Sequence, residues 1–589
     1  MKTLLLRFVA GLSSAFILML SIETSQAASA TWKTSPSSRD WNTAANWTPT
    51  TVPNGPPDTA TFATSSRTSV SLSANTEVNS IVFNSGASPF TITVPVPNYL
   101  ALTISGAGIT NNSGTTQNFV AAGDLSTGYY GLIQFLNNAT AGSSTSFTVN
   151  TAEMYFYNTS SAGSGTFTLN GDPSGEREYS LIAFNNTSSA GSGTFTLNIN
   201  TLNGGPAGAY SLIDFYDSSS AQNGTFTLNG DPSTDQYTQM DFYGGSTAQN
   251  GSFTLNAPAA MYFYDTSSAG SGSFTINGTA LSGATGAAVL IVGNADSATL
   301  IANAGSNGGD GGTIYFFSNS TGGTSRVEVF GMGTGDFING NLDISGHNAP
   351  GLTIGSIEGN GTVFLGRYNL TVGSNNLNTT FSGVMTDGGE FRGTGGSLTK
   401  IGRGKLVLSH RNTYTGGTTV KRGKLIVNNI GHSGTGSGPV LVNAGMLGGK
   451  GIIAGAVTVG TGSGQGATLS PGYLHEAGSP GPLTIQSTLT FNADAICKVE
   501  VNSDTATADE VIANGVTINT GAQFSFADLG SGTLIPGTVF TVINNTAATP
   551  IAGTFSNLPD GGTFTSNGNT YQVSYEGGDG NDLILTVVP

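Results

Sequence analysis

The sequence predicts an all-β protein, built as a parallel β-helix (β-solenoid) with an N-terminal cap, and three observations lead to this prediction. A short unit is repeated along the chain. Each copy ends in alternating apolar and polar residues, which is the period of a strand. Charged residues make up 9% of the chain and glycine contributes 87 positions, a composition far from that of ordinary globular domains. We therefore expect a stack of coils around a narrow core.

The repeat has five close copies. They begin at Phe156, Phe184, Phe215, Phe242 and Phe263, and the first reads FYNTSSAGSGTFTLN. Successive copies start 28, 31, 27 and 21 residues apart. One unit cannot bury its own Phe and Leu side chains, whereas stacked coils with strands about 4.8 Å apart can. An interval near 21 residues suits one coil, so the longer intervals are expected to contain inserts. A series of antiparallel β-sandwiches is the alternative fold.

The first 27 residues are typical of a cleaved secretory signal peptide. Lys2 and Arg7 flank the start of an apolar stretch, Phe8 to Ile22, and Ser25-Gln26-Ala27 offers a small-x-small cleavage site. We expect a secreted protein without a transmembrane segment in its mature chain. The predicted divisions are a cap with the first coils at 28–125, the repeat region at 126–395, a different solenoid section at 396–460 and C-terminal strands at 461–589.

Charge and rare residue types narrow the possible partners. A net charge of −16 argues against nucleic acid and against anionic membrane surfaces. The single cysteine, Cys497, is expected to be a packed, inert thiol. All three tryptophans, Trp32, Trp41 and Trp47, lie near the N-terminus. We expect them to shield the open end of the first coil, and a sugar-binding cradle is the alternative.

One segment has the features of a known repeat. Leu398 to Asn429 reads LTKIGRGKLVLSHRNTYTGGTTVKRGKLIVNN, with fixed glycines, an NTYTGGT turn and alternating apolar positions. It resembles the autotransporter-associated β-strand repeat of bacterial passenger proteins. The segments Ala444 to Val459 and Gly553 to Phe564 look like sections that usually follow it.

This resemblance implies a right-handed parallel β-helix displayed outside the cell, with no catalysis in the repeat itself. In such proteins a membrane-barrel translocator or a sorting tail usually follows. The sequence stops at Pro589, so we expect it to lack a C-terminal translocator barrel and to use another export route, bind a separate export partner or remain in the periplasm.

Tyrosines accompany the repeated phenylalanines. If Phe156, Phe215, Phe242 and Phe263 point inward, the period of two turns the next residue outward. The outward residues are Tyr157, Tyr216, Tyr243 and Tyr264. Stacked coils would align them in a row that can pack on the apolar faces of sugars while the hydroxyls form hydrogen bonds. The alternative is a self-stacking ladder that only makes the rod rigid.

Acidic residues recur in the same register. Asp214 and Asp241 precede the repeated Phe, and Asp217 and Asp265 follow two residues after it. In neighbouring coils Asp214 and Asp241 would lie about 5 Å apart, which suits paired glycosidase carboxylates or a weak calcium site. A solvated edge that discourages aggregation is the third interpretation. One calcium-type nonapeptide, Gly577 to Leu585, is expected to form a closing β-turn instead.

Parallel β-helices include polysaccharide lyases and hydrolases, so an enzyme is the alternative function. Lyases of this kind need a basic residue beside acidic calcium ligands, yet between Arg67 and Arg326 only Arg177 is basic. Four histidines make a general-base or zinc site difficult to assemble. We therefore predict a non-catalytic, secreted or surface-exposed scaffold or adhesin. A cell-surface or matrix polysaccharide is its candidate partner, and calcium is the one candidate cofactor.

Overall fold

The computed structural model describes residues 28–96, 99–124, 127–171, 179–199, 209–234, 236–331, 336–464, 466–472 and 480–589. Within these ranges the regular secondary structure consists of β-strands and one 3₁₀ turn at Ala44–Asn46. No helix in the described part is long and apolar enough to cross a membrane. The predicted signal peptide, residues 1–27, lies outside the described residues, as does Arg177.

Two long sheets run along the rod. Sheet 1 has 16 strands, in stacking order Trp47–Thr48, Ala30–Trp32, Gly55–Phe62, Thr76–Phe83, Ala101–Asn111, Leu132–Phe135, Glu153–Phe156, Ser180–Phe184, Ala209–Phe215, Tyr237–Phe242, Ala259–Phe263, Ala288–Ile291, Thr313–Phe316, Asn341–Asp343, Thr362–Phe364 and Val384–Thr386. Sheet 2 stacks Ser69–Ser71, Thr91–Val94, Gln117–Ala122, Ser143–Asn150, Ser164–Gly171, Thr194–Ile199, Thr225–Asn229, Ser252–Asn256, Ser273–Ile276, Thr299–Ala302, Arg326–Val329, Ser356–Gly359, Thr379–Phe381, Lys405–Leu408, Lys424–Val427, Gly445–Gly449, Ala467–Pro471, Ala495–Asn502 and Gln523–Asp528, with Thr507–Ala508 antiparallel to Ala495–Asn502.

Two further sheets belong to the C-terminal half. Sheet 3 has eight strands: Gly351–Ile354, Asn369–Val372, Ser397–Lys400, Thr418–Val420, Val440–Val442, Val457–Val459, Leu489–Phe491 and Val516–Ile518. Sheet 4 has seven: Ile452–Ile453, Pro482–Ile485, Glu510–Ala513, Val539–Asn545, Asp582–Val588, Asn569–Gly577 and Thr563–Ser566. The last three are antiparallel, and Gly577 pairs with Asp582 across a hairpin. The calcium-type nonapeptide therefore forms the closing turn expected of it.

The parallel pairing confirms the predicted β-helix, and it rules out the antiparallel sandwich series. The repeated phenylalanines are direct partners in sheet 1: Phe156 with Phe184, Phe184 with Phe215, Phe215 with Phe242, and Phe242 with Phe263. Each copy is therefore one coil, whatever its length, because the extra residues of the longer copies lie between strands. The predicted division points at 125, 395 and 460 stay predictions.

The core consists of two phenylalanine ladders that face each other. In sheet 1, Phe156 stacks on Phe184 at 4.8 Å, and Phe184 on Phe215 at 4.7 Å, with nearly parallel rings. A second ladder in sheet 2 includes Phe195 and Phe226, 4.7 Å apart. Rings of opposite ladders meet edge to face, as Phe215 and Phe226 do at 6.2 Å. Alternating inward residues thus fill the narrow interior with offset-stacked and T-shaped aromatic pairs, the favoured geometries.

An amide ladder lines the outer side of sheet 2. In each coil the Asn that ends the repeat donates its Nδ2 hydrogen to the Oδ1 of the Asn one coil below, over 2.8 to 3.3 Å. The seven members are Asn150, Asn170, Asn198, Asn229, Asn256, Asn277 and Asn303. These neutral side chains satisfy one another along the rod, which stabilises the coil-to-coil register.

The N-terminal end is closed by the three tryptophans. Trp32, Trp41 and Trp47 are at most 1% exposed and pack with Phe62 inside the first coil. Their indole N–H groups donate to the backbone carbonyls of Arg67, Pro53 and Trp41. The predicted cap is confirmed, and the sugar-cradle alternative is wrong because the rings are buried.

Candidate binding face

The outer side of sheet 1 carries a cluster of aromatic and acidic side chains, which we call the aromatic face. Its members are Glu153, Tyr155, Tyr157, Asn185, Asp214, Tyr216, Gln239, Asp241, Tyr243, Tyr262, Tyr264, Tyr315 and Phe317. They stand two residues apart on consecutive parallel strands, so they form columns that run along the rod. The inward residues between them are the core phenylalanines and aliphatic residues.

Three of the four predicted tyrosines form a stack. Tyr216 and Tyr243 lie 5.0 Å apart between ring centroids, and Tyr243 and Tyr264 are also 5.0 Å apart. The rings are tilted by only 7° and 8° relative to each other. Because each inner ring face is covered by its neighbour, the stack presents half-buried ring edges. The self-stacking ladder weighed from the sequence is therefore present.

Tyr157 belongs to the same column but not to the stack. The backbone N–H of Asn185 donates to the backbone carbonyl of Phe156. The coil that contains Asn185 therefore lies between the coils of Tyr157 and Tyr216. Two strand spacings, about 9.6 Å, lie between the two tyrosine positions. Asn185 is not aromatic, so the aromatic column is interrupted there. The amide Nδ2 of Asn185 is buried without a hydrogen-bond partner.

Carboxylates on the aromatic face accept hydrogen bonds from phenols of the same strand. Tyr216 donates to Asp214 Oδ2 over 2.9 Å, and Tyr243 donates to Asp241 Oδ2 over 2.9 Å. Tyr155 donates in the same way to Glu153 Oε2 over 3.0 Å. These hydroxyl protons are therefore already used within the protein. A ligand would meet the rings and the remaining lone pairs rather than free phenol donors.

Asp214 and Asp241 are direct partners in neighbouring strands, as the register of the repeats predicts. Asp241 is 3% exposed and Asp214 is half-buried. Burial raises the pKa of both carboxyls, and the charge of Asp241 raises the pKa of Asp214 further. The interpretation as a solvated edge does not fit Asp241, which is buried, whereas Asp214 is half-buried; each carboxyl accepts a hydrogen bond from the tyrosine two residues further along.

One oxygen of Asp241 lacks a donor. Oδ2 accepts from Tyr243 and from Gln239 Nε2, the latter over 2.7 Å, whereas Oδ1 is buried and unpartnered. Such an orphan acceptor costs free energy in a folded protein and is unusual. Together with the raised pKa, it distinguishes this position from the satisfied amide ladder on sheet 2.

The other two recurring aspartates have a different role. Asp217 and Asp265 adopt positive φ angles in the turn after the strand. Asp217 accepts the backbone N–H of Asn186, and Asp265 accepts that of Gly244. They fix the turns of adjacent coils and do not join Asp214. Across the described ranges, no three or more His, Cys, Asp or Glu side chains converge as metal ligands would.

The sequence reasoning missed several members of the face. Tyr155 and Tyr262 stand two residues before Tyr157 and Tyr264 and stack on them at 5.6 and 5.5 Å. Extending the period of two backwards by one step would have found both. At the far end, Tyr315 lines a cavity of about 280 Å³ together with Asp310 and Glu390. Glu390 comes from a distant part of the chain, so no local pattern predicts it.

The match to a known protein family lies outside the aromatic face, in a later part of the rod. The passenger-associated-transport-repeat family matches residues 398–427. In the structure these residues form strands that alternate between sheet 3 and sheet 2, namely Ser397–Lys400, Lys405–Leu408, Thr418–Val420 and Lys424–Val427. The turn tyrosine of the repeat, Tyr414, is buried and hydrogen-bonds to Thr418.

A curated relative gives a second comparison. The Adhesin BmaC autotransporter of Brucella suis biovar 1 (strain 1330) is 35% identical over 120 residues, which are 19% of this chain. The match spans 3% of the relative's own length. Residues 398–427 are therefore an autotransporter passenger-type repeat, and they belong to the same continuous solenoid that carries the aromatic face.

Proposed function

We propose that the protein is a non-catalytic passenger-type solenoid, secreted or exposed at the cell surface, that acts as an adhesin and contacts glycans through the aromatic face. The observation that carries this proposal is the stack Tyr216, Tyr243 and Tyr264 on the outer side of sheet 1. A row of half-buried aromatic side chains on the outer side of a rod is a candidate interaction surface. The passenger-type repeat and the relative named as an adhesin support the location and the role.

The stack offers two kinds of contact to a sugar. The half-buried ring edges of Tyr216, Tyr243 and Tyr264 can make apolar van der Waals contacts with a pyranose. The half-buried carboxyl of Asp214 beside the stack can accept a hydrogen bond from a sugar hydroxyl. The parallel strands of neighbouring coils hold these positions at a constant spacing. A rigid face binds with little loss of side-chain freedom.

The test uses native cells and a matched pair of variants. Cells that produce the protein are fractionated and treated with external protease, and the chain is detected by antibody. The triple variant Tyr216→Ala, Tyr243→Ala and Tyr264→Ala is then compared with the wild type for adhesion to glycan-coated surfaces. We expect a protease-accessible chain and a loss of adhesion of about tenfold or more, since truncated aromatic anchors dominate interface energies.

The control variant alters the same three coils on the opposite face. Thr227, Thr254 and Thr275 are outward partners in sheet 2, and their replacement by Ala should leave adhesion unchanged. Equal loss in both triple variants would show that adhesion depends on general stability instead of the aromatic face. A chain shielded from protease and absent from the medium would contradict the surface or secreted location.

A polysaccharide-active enzyme is the second candidate, because Asp214 and Asp241 are adjacent and both have a raised pKa. Paired carboxyls about 5 Å apart suit a retaining glycosidase. Product release from pectin, alginate or xylan that is abolished by Asp241→Asn would favour this candidate over the adhesin. Reducing-end assays on the purified mature chain decide the question.

A further inference from the structure

We propose that the aromatic face selects glycans that carry free amino groups, with the ammonium received by Asp214 and Asp241. This inference rests on the proposed glycan contact and goes further, because it names the chemical class of the ligand. Three observations carry it: an unpartnered buried acceptor, two adjacent carboxyls and tyrosine rings around them.

The unpartnered acceptor is the first observation. Asp241 Oδ1 is buried and receives no hydrogen bond, although Oδ2 receives two. A ligand that brings a donor would satisfy it. Gln239 is only half-buried, and its amide now bonds to Oδ2. The Gln239 amide is a neutral donor that a ligand's ammonium group can replace at Oδ2, while Tyr243 would keep its own bond to Oδ2.

The second observation is the local charge. Asp214 and Asp241 face each other across neighbouring strands, and like charges in directly opposed positions destabilise a sheet. An ammonium between them would offset this repulsion, which a sugar hydroxyl cannot do. The sequence has one basic residue between Arg67 and Arg326, namely Arg177, so the described part of the face contains no Lys or Arg that could neutralise the pair.

The third observation is the aromatic wall. Tyr216 and Tyr243 bond to the two aspartates, so their rings border the carboxyl pair. The rings exclude water from part of the pair, and a charge-assisted hydrogen bond in such a low-dielectric site is stronger than in water. Carboxylates combined with aromatic rings recognise ammonium groups better than neutral ones. The half-buried side chain of Asp214 provides access from solvent.

The experiment compares two oligosaccharides that differ only in acetylation. A β-1,4-linked glucosamine hexamer and the corresponding N-acetylglucosamine hexamer are titrated into the mature chain by calorimetry in neutral buffer, where the carboxyl pair is ionised in part and a fraction of the amines carries a proton. We expect the free-amine oligomer to bind about tenfold tighter or more, because charge-assisted hydrogen bonds are roughly twice as strong as neutral ones. The double variant Asp214→Asn and Asp241→Asn should remove this preference.

Asp217→Asn is the matched control. It removes one carboxylate from the same coil, and Asn stands at the equivalent turn position of other coils, for example Asn158 and Asn186. We expect its affinities to stay within about twofold of the wild type. An equal loss in Asp217→Asn and in the double variant would overturn the inference, because bulk charge alone would then explain binding.

Two further outcomes separate this inference from the proposed function. Equal binding of both oligomers, unaffected by the double variant, would overturn amine selection and leave glycan contact in place. No binding of either oligomer would also overturn amine selection. The adhesion assay with the triple tyrosine variant would then decide the proposed function independently.

Discussion

Replacement of Phe215 by alanine tests whether the phenylalanine ladders hold neighbouring coils together. Phe215 is fully buried in the middle of its ladder. Its ring lies 4.7 Å from Phe184 and 4.7 Å from Phe242, and it meets Phe226 edge to face at 6.2 Å. The substitution leaves the backbone pairing of the strand unchanged and removes only this side chain.

The expected loss is large because the vacated space cannot close. Buried Phe→Ala substitutions cost about 3–5 kcal/mol, and aromatic pairs contribute about 0.5–1.5 kcal/mol each beyond burial. Three such pairs are lost here, and backbone hydrogen bonds keep the coils about 4.8 Å apart. We therefore expect the free energy of unfolding to fall by about 4–5 kcal/mol, at the upper end of the range.

Urea unfolding followed by far-ultraviolet circular dichroism measures this loss for the whole rod. The tryptophans all lie in the cap, so their fluorescence reports the N-terminal end separately. Each coil contacts mainly its neighbours, so the dichroism midpoint should fall more than the fluorescence midpoint. Tyr216→Ala, at the next position, is the control, because it removes one outer stacking partner at 5.0 Å and should cost about 1 kcal/mol. Equal losses for Phe215→Ala and Tyr216→Ala would refute the reasoning.

Three other expectations concern polar groups of the rod. Asn229→Ala should lower the free energy of unfolding by about 1–2 kcal/mol in urea titrations, because it breaks two bonds of the amide ladder; no loss would show that water replaces the ladder fully. The free energy of unfolding should fall as pH rises from about 4 towards neutrality, because the pKa values of Asp214 and Asp241 are raised in the folded state. The stabilisation by the protonated carboxyls is complete below the pKa of the unfolded chain and is lost as pH rises through the folded-state pKa values. The double Asn variant should flatten this slope in melting curves. Cys497 is fully buried, and burial raises the pKa of its thiol, so Ellman's reagent should label it only after unfolding; rapid labelling of the native protein would contradict this placement.

The fold is predictable because each repeat contains its own register. Phe156, Phe184 and Phe215 remain strand partners although 28 and 31 residues separate them, since only the buried positions must match and inserts can leave the stack. The third sheet is not predictable in the same way. It begins at Gly351–Ile354, after the recognisable copies have ended, and nothing in a short strand specifies which sheet it joins.

Part of the binding face is predictable for the same reason. Register alone places Asp214 beside Asp241 and aligns Tyr216 with Tyr243. Burial of the aspartates is not predictable from one coil, because it depends on how far the side chains of the neighbouring coils extend from the sheet. The interruption of the aromatic column at Asn185 can be predicted only when three consecutive coils are compared.

The repeat region has an outer polar column on sheet 2 and another on sheet 1, and the difference between them favours a functional explanation of the aspartate pair over a structural one. On sheet 2 the coils use neutral amides, and Asn198 and Asn229 satisfy each other at 3.0 Å. On sheet 1 the same coils place Asp214 and Asp241 in direct register, where burial and mutual repulsion oppose ionisation and one oxygen remains without a donor. A rod that needed only a polar column would be more stable with amides in both places. Retention of a costly charged pair is typical of sites where stability has been exchanged for binding. The double Asn variant should therefore melt at a higher temperature than the wild type at neutral pH and bind the amino-sugar oligomer less tightly, whereas a purely structural pair would lose stability.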